Sequence, residues 1–250
     1  MSFLLLWLEG PLQSWGANSR FYNRTSLPFP TRSGVLGLLC CASGRGGDQC
    51  EWLAHMAQYG QTVRAYVRKS SNSYIVRMPP KLFDFQTVGS GYETADAWQN
   101  MLVPKKIDGK KPMVTGGTKI TWRHYLQDMA YACVLEMPTE EASALNEALG
   151  NPVWELSLGR RNCPPSDIIG RGIFSTEDAA LTQADTLAEE KRRCAILTVR
   201  DGALENGDEV WTLNDVPLRF GPRKEYRSRQ VTLFAMSSSI EALQIEGDTV

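Results

Sequence analysis

The chain has 250 residues, 42% of them apolar and 22% charged, with a formal net charge of −1 and an isoelectric point near 6.2. Those values fit a globular protein with a sizeable core and exclude both a disordered chain and a globally basic nucleic-acid binder; any nucleic-acid role must rest on local basic patches. The apolar runs Phe3–Leu8 and Val35–Ala42 are too short to cross a membrane and no basic segment precedes the first, so a cytoplasmic protein is expected.

Phe3–Glu9 reads as an apolar, buried strand, ended by the turn GPLQSWG at 10–16. An arginine-bearing loop with Arg20 and Arg24 follows, and Pro28 and Pro30 hold the next residues extended. Thr31 or Ser33 then caps a helix whose apolar face is Val35, Leu38, Leu39 and Ala42 and which Gly44 ends. From Gly10 to Gly47 there are four arginines and no acidic residue. A short helix is expected from Asp48 to Gly60, with Glu51 completing a D-x-x-E capping pattern.

Thr62–Lys69 alternates as a strand with Val63, Ala65 and Val67 on its one buried face. Tyr74–Gln86 reads as a further strand broken at Pro79-Pro80. From Thr87 to Lys119 glycines, polar residues and Lys105, Lys106, Lys110 and Lys111 predict a projecting hairpin or loop. Strands Lys119–Leu126 and Met129–Met137 follow, then a helix capped by Thr139 and closed by Gly150, then a strand Val153–Leu158. This order is the β-α-β-β-α-β, ferredoxin-like arrangement, which is also the platform of RNA-recognition modules. The expected fold class is therefore α+β, with residues 1–169 as the ferredoxin-like domain. Residues 170–250 read as a small β-rich unit with a polar helix at 179–192, strands at 195–200, 209–213 and 230–235, and a loose polar tail.

Phosphate-binding chemistry recurs at the connections. Arg32, Ser33 and Gly34 stand at a helix start, where a guanidinium and free backbone N–H groups suit a phosphate, although ordinary capping accounts for them equally well. Trp15, beside Gln13 and between two glycines, suits stacking on a base or closing a strand end inside the core. Arg160 and Arg161 follow a strand, and Arg223, Lys224 and Arg227 lie in a basic stretch with one acid, Glu225.

Catalytic chemistry is thinner. His124, between Arg123 and Tyr125, would allow metal-free RNA cleavage, or the three residues simply alternate along a strand. No His, Cys or carboxylate cluster has metal-ligand spacing, and G-x-x-x-x-G-K-[ST] and G-x-S-x-G are absent, so neither metal nor other cofactor is expected. The six cysteines form no C-x-x-C pair and are expected as buried free thiols.

GPLQSWG at 10–16, Arg24-Thr25 and PTRSGVLGLL at 30–39 together resemble the CRISPR-associated RAMP superfamily, in its branch of CasD subunits from type I-E Cascade complexes. YLQD at 125–128, LGRRNCPPS at 158–166 and FGPRKEYRSR at 220–229 fit the same pattern in the same order. The resemblance implies a ferredoxin-like domain with a projecting thumb at about 87–118 and a non-catalytic subunit that holds the 5′ handle of the CRISPR RNA. It implies a CasC backbone subunit and a CasA large subunit as neighbours, with target DNA met through the assembled complex. Gln13, Trp15, Arg24, Arg32, Ser33, Gly34, Arg160 and Arg161 would be handle contacts. In a related branch of the superfamily the protein itself cuts precursor CRISPR RNA, which keeps His124 and Tyr125 as an alternative site.

Overall fold

The structure is a computed structural model that describes residues 1–16, 22–69, 81–88, 98 and 119–236. Arg20, the four lysines at 105–111, most of the projecting segment expected at 87–118, the first part of the 74–86 strand and the tail lie outside the described residues.

The apolar start of the chain forms β1 (Ser2–Glu9), buried along nearly its whole length. Short strands β2 (Leu12–Gln13) and β3 (Asn23–Arg24) precede α1 (Arg32–Ser43). Thr31 caps α1 by accepting from Gly34 N–H, and Gly44, at φ 71°, ends it in the left-handed conformation that glycine adopts without a Cβ penalty. Helix α2 (Cys50–Met56) is shorter than expected and has no side-chain cap. Asp48 instead offers its carbonyl to Phe220 N–H, 3.0 Å away.

Strand β4 (Gln61–Arg68) is followed by β5 (Leu82–Val88), β6 (Lys119–Gln127), β7 (Ala130–Met137) and α3 (Thr139–Gly150). Thr139 does not cap α3; its hydroxyl is 2.8 Å from that of Ser2, which ties the helix start to the start of β1. The expected strand at 153–158 is absent, because Val153 and Trp154 donate their N–H groups to the last carbonyls of α1, those of Ala42 and Cys41. The next strand after α3 comes later, as β8 (Gly170–Phe174). Helix α4 (Glu177–Glu190) and strands β9 (Arg193–Asp201), β10 (Glu209–Arg219) and β11 (Glu225–Ala235) follow.

The chain is α+β around a large antiparallel sheet of seven strands in the order β10-β11-β9-β4-β7-β1-β8. In a second sheet β6 is flanked on one side by β5 and on the other by β2 and β3. The boundary expected near residue 170 does not divide the molecule. β8 closes one edge of the large sheet, β9 to β11 extend the other, and Ile196, Val199, Leu213 and Val231 share one core with α1 and α3.

The second face of that sheet is also covered. Ala180, Leu181, Ala184 and Ala188 of α4 pack on Leu5, Trp7, Tyr66 and Val134. This is why β4 is buried on both faces, where alternation alone predicts one. Tyr66 points to the α4 side and donates to Asp185, 2.8 Å away, which also pairs with Arg64. All six cysteines are free; Cys40, Cys133 and Cys163 are buried as expected, while Cys41, Cys50 and Cys194 are half-buried. Burial pushes the Cys40 thiol up to about 12.

At its far end β1 delivers Glu9 into an ion network. The carboxylate accepts from Trp7 Nε1 at 2.9 Å and from Arg193 Nη2 at 2.8 Å, and Lys191 Nζ stands at 2.9 Å. Arg193, 1% exposed, also donates to the Asp128 carbonyl in the turn between β6 and β7. Burial pushes the Glu9 carboxyl up, but the hydrogen bonds from Trp7, Lys191 and Arg193 outweigh it and hold the group below its ordinary value. A carboxylate lowered on folding stabilises the fold above its unfolded value, and that stability is lost as pH falls through the folded one. Urea unfolding at stepped pH should therefore show stability declining below about pH 4.5, with a shallower decline in Glu9→Gln. An unchanged slope in the variant would remove Glu9 from the acid response.

Candidate nucleic-acid interface

Four separate stretches of sequence meet at the Glu9 end of β1, and glycines set how closely they approach. A Cβ on Gly10 would lie 2.9 Å from both Leu158 Cδ1 and the Pro164 carbonyl. A Cβ on Gly159, at φ +89°, would lie 1.9 Å from the Ser14 carbonyl. The turn at 10–16 therefore sits directly on the loop at 158–166, joined by Ser14 N–H to the Leu158 carbonyl at 3.1 Å. Strand β6 completes the cluster, with Ser14 Oγ donating to the His124 carbonyl and Asp128 N–H to the Pro11 carbonyl.

Several side chains expected to touch RNA are internal. Gln13 is fully buried and donates to the carbonyls of Leu8, at 3.1 Å, and Met129, at 2.8 Å. Trp15 is fully buried, donates Nε1–H to Gln13 Oε1 at 3.1 Å, and packs so tightly on α1 that a Cβ on Gly34 would meet its ring at 2.8 Å. It closes a strand end in the core, with no ring face open to a base. Gln13 is thus a strut for the turn, Trp15 a plug, and Gly34 the gap into which the plug fits.

Arg32 is the largest correction. It is 4% exposed, and its Nη1 donates to Asp201 at 2.9 Å while Nη2 donates to the carbonyls of Met56 and Tyr59. Its backbone N–H donates to Asp215 Oδ2 at 2.7 Å. The free amides and positive end of α1 do attract an anion, as physical chemistry requires, but the anion is the carboxylate of Asp215. Arg229 closes the arrangement by pairing with both Asp215 and Asp201. Burial pulls the Arg32 guanidinium below its ordinary value, against the opposing effect of Asp201 and Asp215. Ser33 is half-buried, its hydroxyl 3.4 Å from that of Thr31.

Within these segments the exposed cations are Arg24 and Arg161, and Asn162 is exposed as well. Arg160 organises this surface. Its guanidinium lies 5.0 Å from the centre of the Tyr125 ring and donates from Nη2 to the Arg24 carbonyl at 2.9 Å, while Nη1 finds no partner within the protein. Asn162 Nδ2 donates to the Tyr125 hydroxyl at 2.9 Å. Arg160 and Asn162 thus gather around Tyr125 and hold the backbone of Arg24, 138 residues before Asn162, against them, while Arg161 lines a neighbouring opening with Cys41, Trp154 and Pro164.

Arg223, Lys224 and Arg227 are exposed, on the hairpin of β10 and β11 beside α2, and form a separate basic patch. The trio at 123–125 does not converge. Tyr125, 1% exposed, faces inward to Arg160 and Asn162, whereas His124 faces the other side of β6 and meets Phe83 edge-on at 4.5 Å. Beside it Phe85 and Trp122 pair at 4.9 Å; Phe83, Phe85 and Trp122 are all exposed. The alternation Phe83-Asp84-Phe85 was the sequence signal for this aromatic face, while Asp201, Asp215 and Arg229 had no local signal. Among the described residues no group of three His, Cys, Asp or Glu is placed to hold a metal ion. Among them, too, no helix is long and apolar enough to cross a membrane.

Residues 3–232 match the family model described as CRISPR-associated protein (Cas_Cas5), and the chain belongs to that family. It is 29% identical over 184 residues to the CRISPR system Cascade subunit CasD of Escherichia coli (strain K12), covering 71% of this chain and 73% of that protein. Among solved structures, a chain of a CRISPR RNA-guided surveillance complex superposes with a TM-score of 0.64 at 27% identity, covering 93% of this chain and 89% of the other. A further one, described as a crystal structure of a Cas protein, shares the fold with a TM-score of 0.54 at 24% identity, over 93% and 94% of the two chains.

Proposed function

We propose that this chain is an RNA-binding subunit of a Cascade-type CRISPR surveillance complex, holding the 5′ handle of the CRISPR RNA without cutting it. The observation that carries the reading is the meeting of the 10–16, 24–25, 125–128 and 158–166 segments in one cluster, with Arg160 stacked on Tyr125 and bonded to the Arg24 carbonyl, and with Arg24, Arg161 and Asn162 exposed on those segments. The strand order β8-β1-β7-β4, with α1 and α3 against it, supports a ferredoxin-like core beneath that cluster. The similarity to a Cascade subunit supports the ligand, and supports CasC and CasA subunits as neighbours. Strands β5 and β6 pair from Leu82–Tyr125 to Val88–Lys119, which suits them as the stem of the thumb.

The purified chain should bind single-stranded handle RNA in EDTA, with log affinity falling linearly as log salt rises. The double variant Arg24→Ala/Arg161→Ala should flatten that slope by about 0.7 for each phosphate left without its arginine. A slope identical to wild type would show that the cluster is not the RNA surface. Cleavage of the RNA in EDTA, abolished by His124→Ala, would overturn the non-catalytic part of the reading.

A further inference from the structure

Strands β5 and β6 carry an aromatic face that the Tyr125–Arg160 stack does not use. Their register sets Phe83 opposite His124, Phe85 opposite Trp122 and Thr87 opposite Ile120, and residues directly opposite in a sheet share a face. Phe83 is 60% exposed, Phe85 50% and Trp122 46%. Phe83 meets His124 edge-on with ring centres 4.5 Å apart, and Phe85 lies at 57° to Trp122 with centres 4.9 Å apart. These cross-strand pairs hold the rings in place yet leave each of the three large aromatics open to water. A contiguous exposed apolar patch of this kind marks a binding surface.

Charge and position narrow what it binds. Asp84 is the one acid on these two strands, and it stands opposite Arg123 on the other face, where Gln86 Nε2 donates to its Oδ2 at 2.6 Å. The aromatic face thus presents no carboxylate of its own strands to repel a polyanion. Position ties it to Arg24. The short strand β3 runs parallel to β6 with Asn23 beside Trp122 and Arg24 beside Arg123, and among the described residues β3 is a margin of this sheet. β6 alternates, sending Tyr125 to the Arg160 stack on one face and Trp122 and His124 to the other. Neighbouring strands lie about 4.8 Å apart, so an RNA strand with a phosphate on Arg24 has only the β3 margin to pass before a base meets Trp122.

We propose that this face stacks bases of single-stranded RNA next to the segment whose phosphates Arg24 holds. Flat exposed rings take a base of any identity, because every base has a π-face. Trp122 and Phe85 supply one stacking position, and Phe83, braced by His124, supplies a second. The inference rests on the handle-binding reading and adds where the bases of that RNA go.

The test uses the full chain and single-stranded handle RNA carrying 2-aminopurine at successive positions, whose fluorescence is quenched where the base stacks. The double variant Phe85→Leu/Trp122→Leu, which keeps apolar side chains but no rings, should bind about tenfold more weakly and lose the quenching at one position. Its salt slope should equal wild type, because no phosphate contact is lost, whereas Arg24→Ala/Arg161→Ala flattens the slope. Phe85→Tyr/Trp122→Tyr, which keeps both rings, should retain affinity and quenching. Salt-sensitive binding by wild type with no change in the leucine variant would overturn this inference and leave the handle reading standing. Failure of wild type to bind the RNA would remove both. A leucine variant that binds RNA normally but no longer co-purifies with a backbone subunit would give the face to a protein neighbour and overturn the proposal.

Discussion

Arg32→Met should lower the unfolding free energy by about 3–5 kcal/mol, the range for removing one partner from a buried ion pair. The variant strands Asp201 with Arg229 alone and leaves the carbonyls of Met56 and Tyr59 without their shared donor. Denaturant unfolding measures the loss directly. At a temperature where the variant is still folded, its affinity for handle RNA should match wild type, because the guanidinium lies inside the protein. The opposite pattern, intact stability with weakened RNA binding, would return Arg32 to the RNA surface and refute the clasp. Asp215→Asn should behave similarly: it weakens the anion at the start of α1 and the pairing with Arg229.

The second large effect is expected at Gly159. Replacing it with alanine adds backbone strain at φ +89°, of order 1–3 kcal/mol, and drives a methyl into the Ser14 carbonyl 1.9 Å away. Gly202, at φ +95° with nothing within 4 Å, provides the comparison, because Gly202→Ala carries the strain without the collision. Gly159→Ala should thus be the more destabilised of the two. It should also lose RNA binding, since Arg160, Arg161 and Asn162 ride on the displaced loop. Equal stability and equal RNA affinity in the two variants would mean that the 10–16 turn and the 158–166 loop do not need their close approach.

What the sequence revealed follows the range of the interactions. Strands β1 and β4 and helix α1, with the Thr31 cap and Gly44 stop, are set by periodicity and by residues within a turn of each end. The roles of Arg32 and Trp15 were hidden for the opposite reason. Arg32 meets Asp201 and Asp215 across 169 and 183 residues, and no local pattern distinguishes a guanidinium bound for an internal carboxylate from one bound for a phosphate. The motif was located correctly, and its arginine was given the wrong partner. The 170 boundary failed similarly: a change to polar composition marked a helix covering the far face of the same sheet. Arg24 and Arg160 were legible as candidates in the sequence, but their meeting, with Tyr125 as the ring beneath Arg160, required the fold.

The ends of the large sheet constrain how any neighbour can attach. The outermost strands are β10, which carries Pro217 and two breaks in register against β11, and β8, five residues long with Gly172 at φ +107° and a bulge against β1. Irregular, short or proline-bearing margins are poor templates for another backbone. A second chain therefore cannot readily continue the sheet into a shared ribbon, and copies of this protein are protected from stacking edge to edge. Whatever docks here must recognise side chains and loops, which makes attachment selective for a partner's sequence.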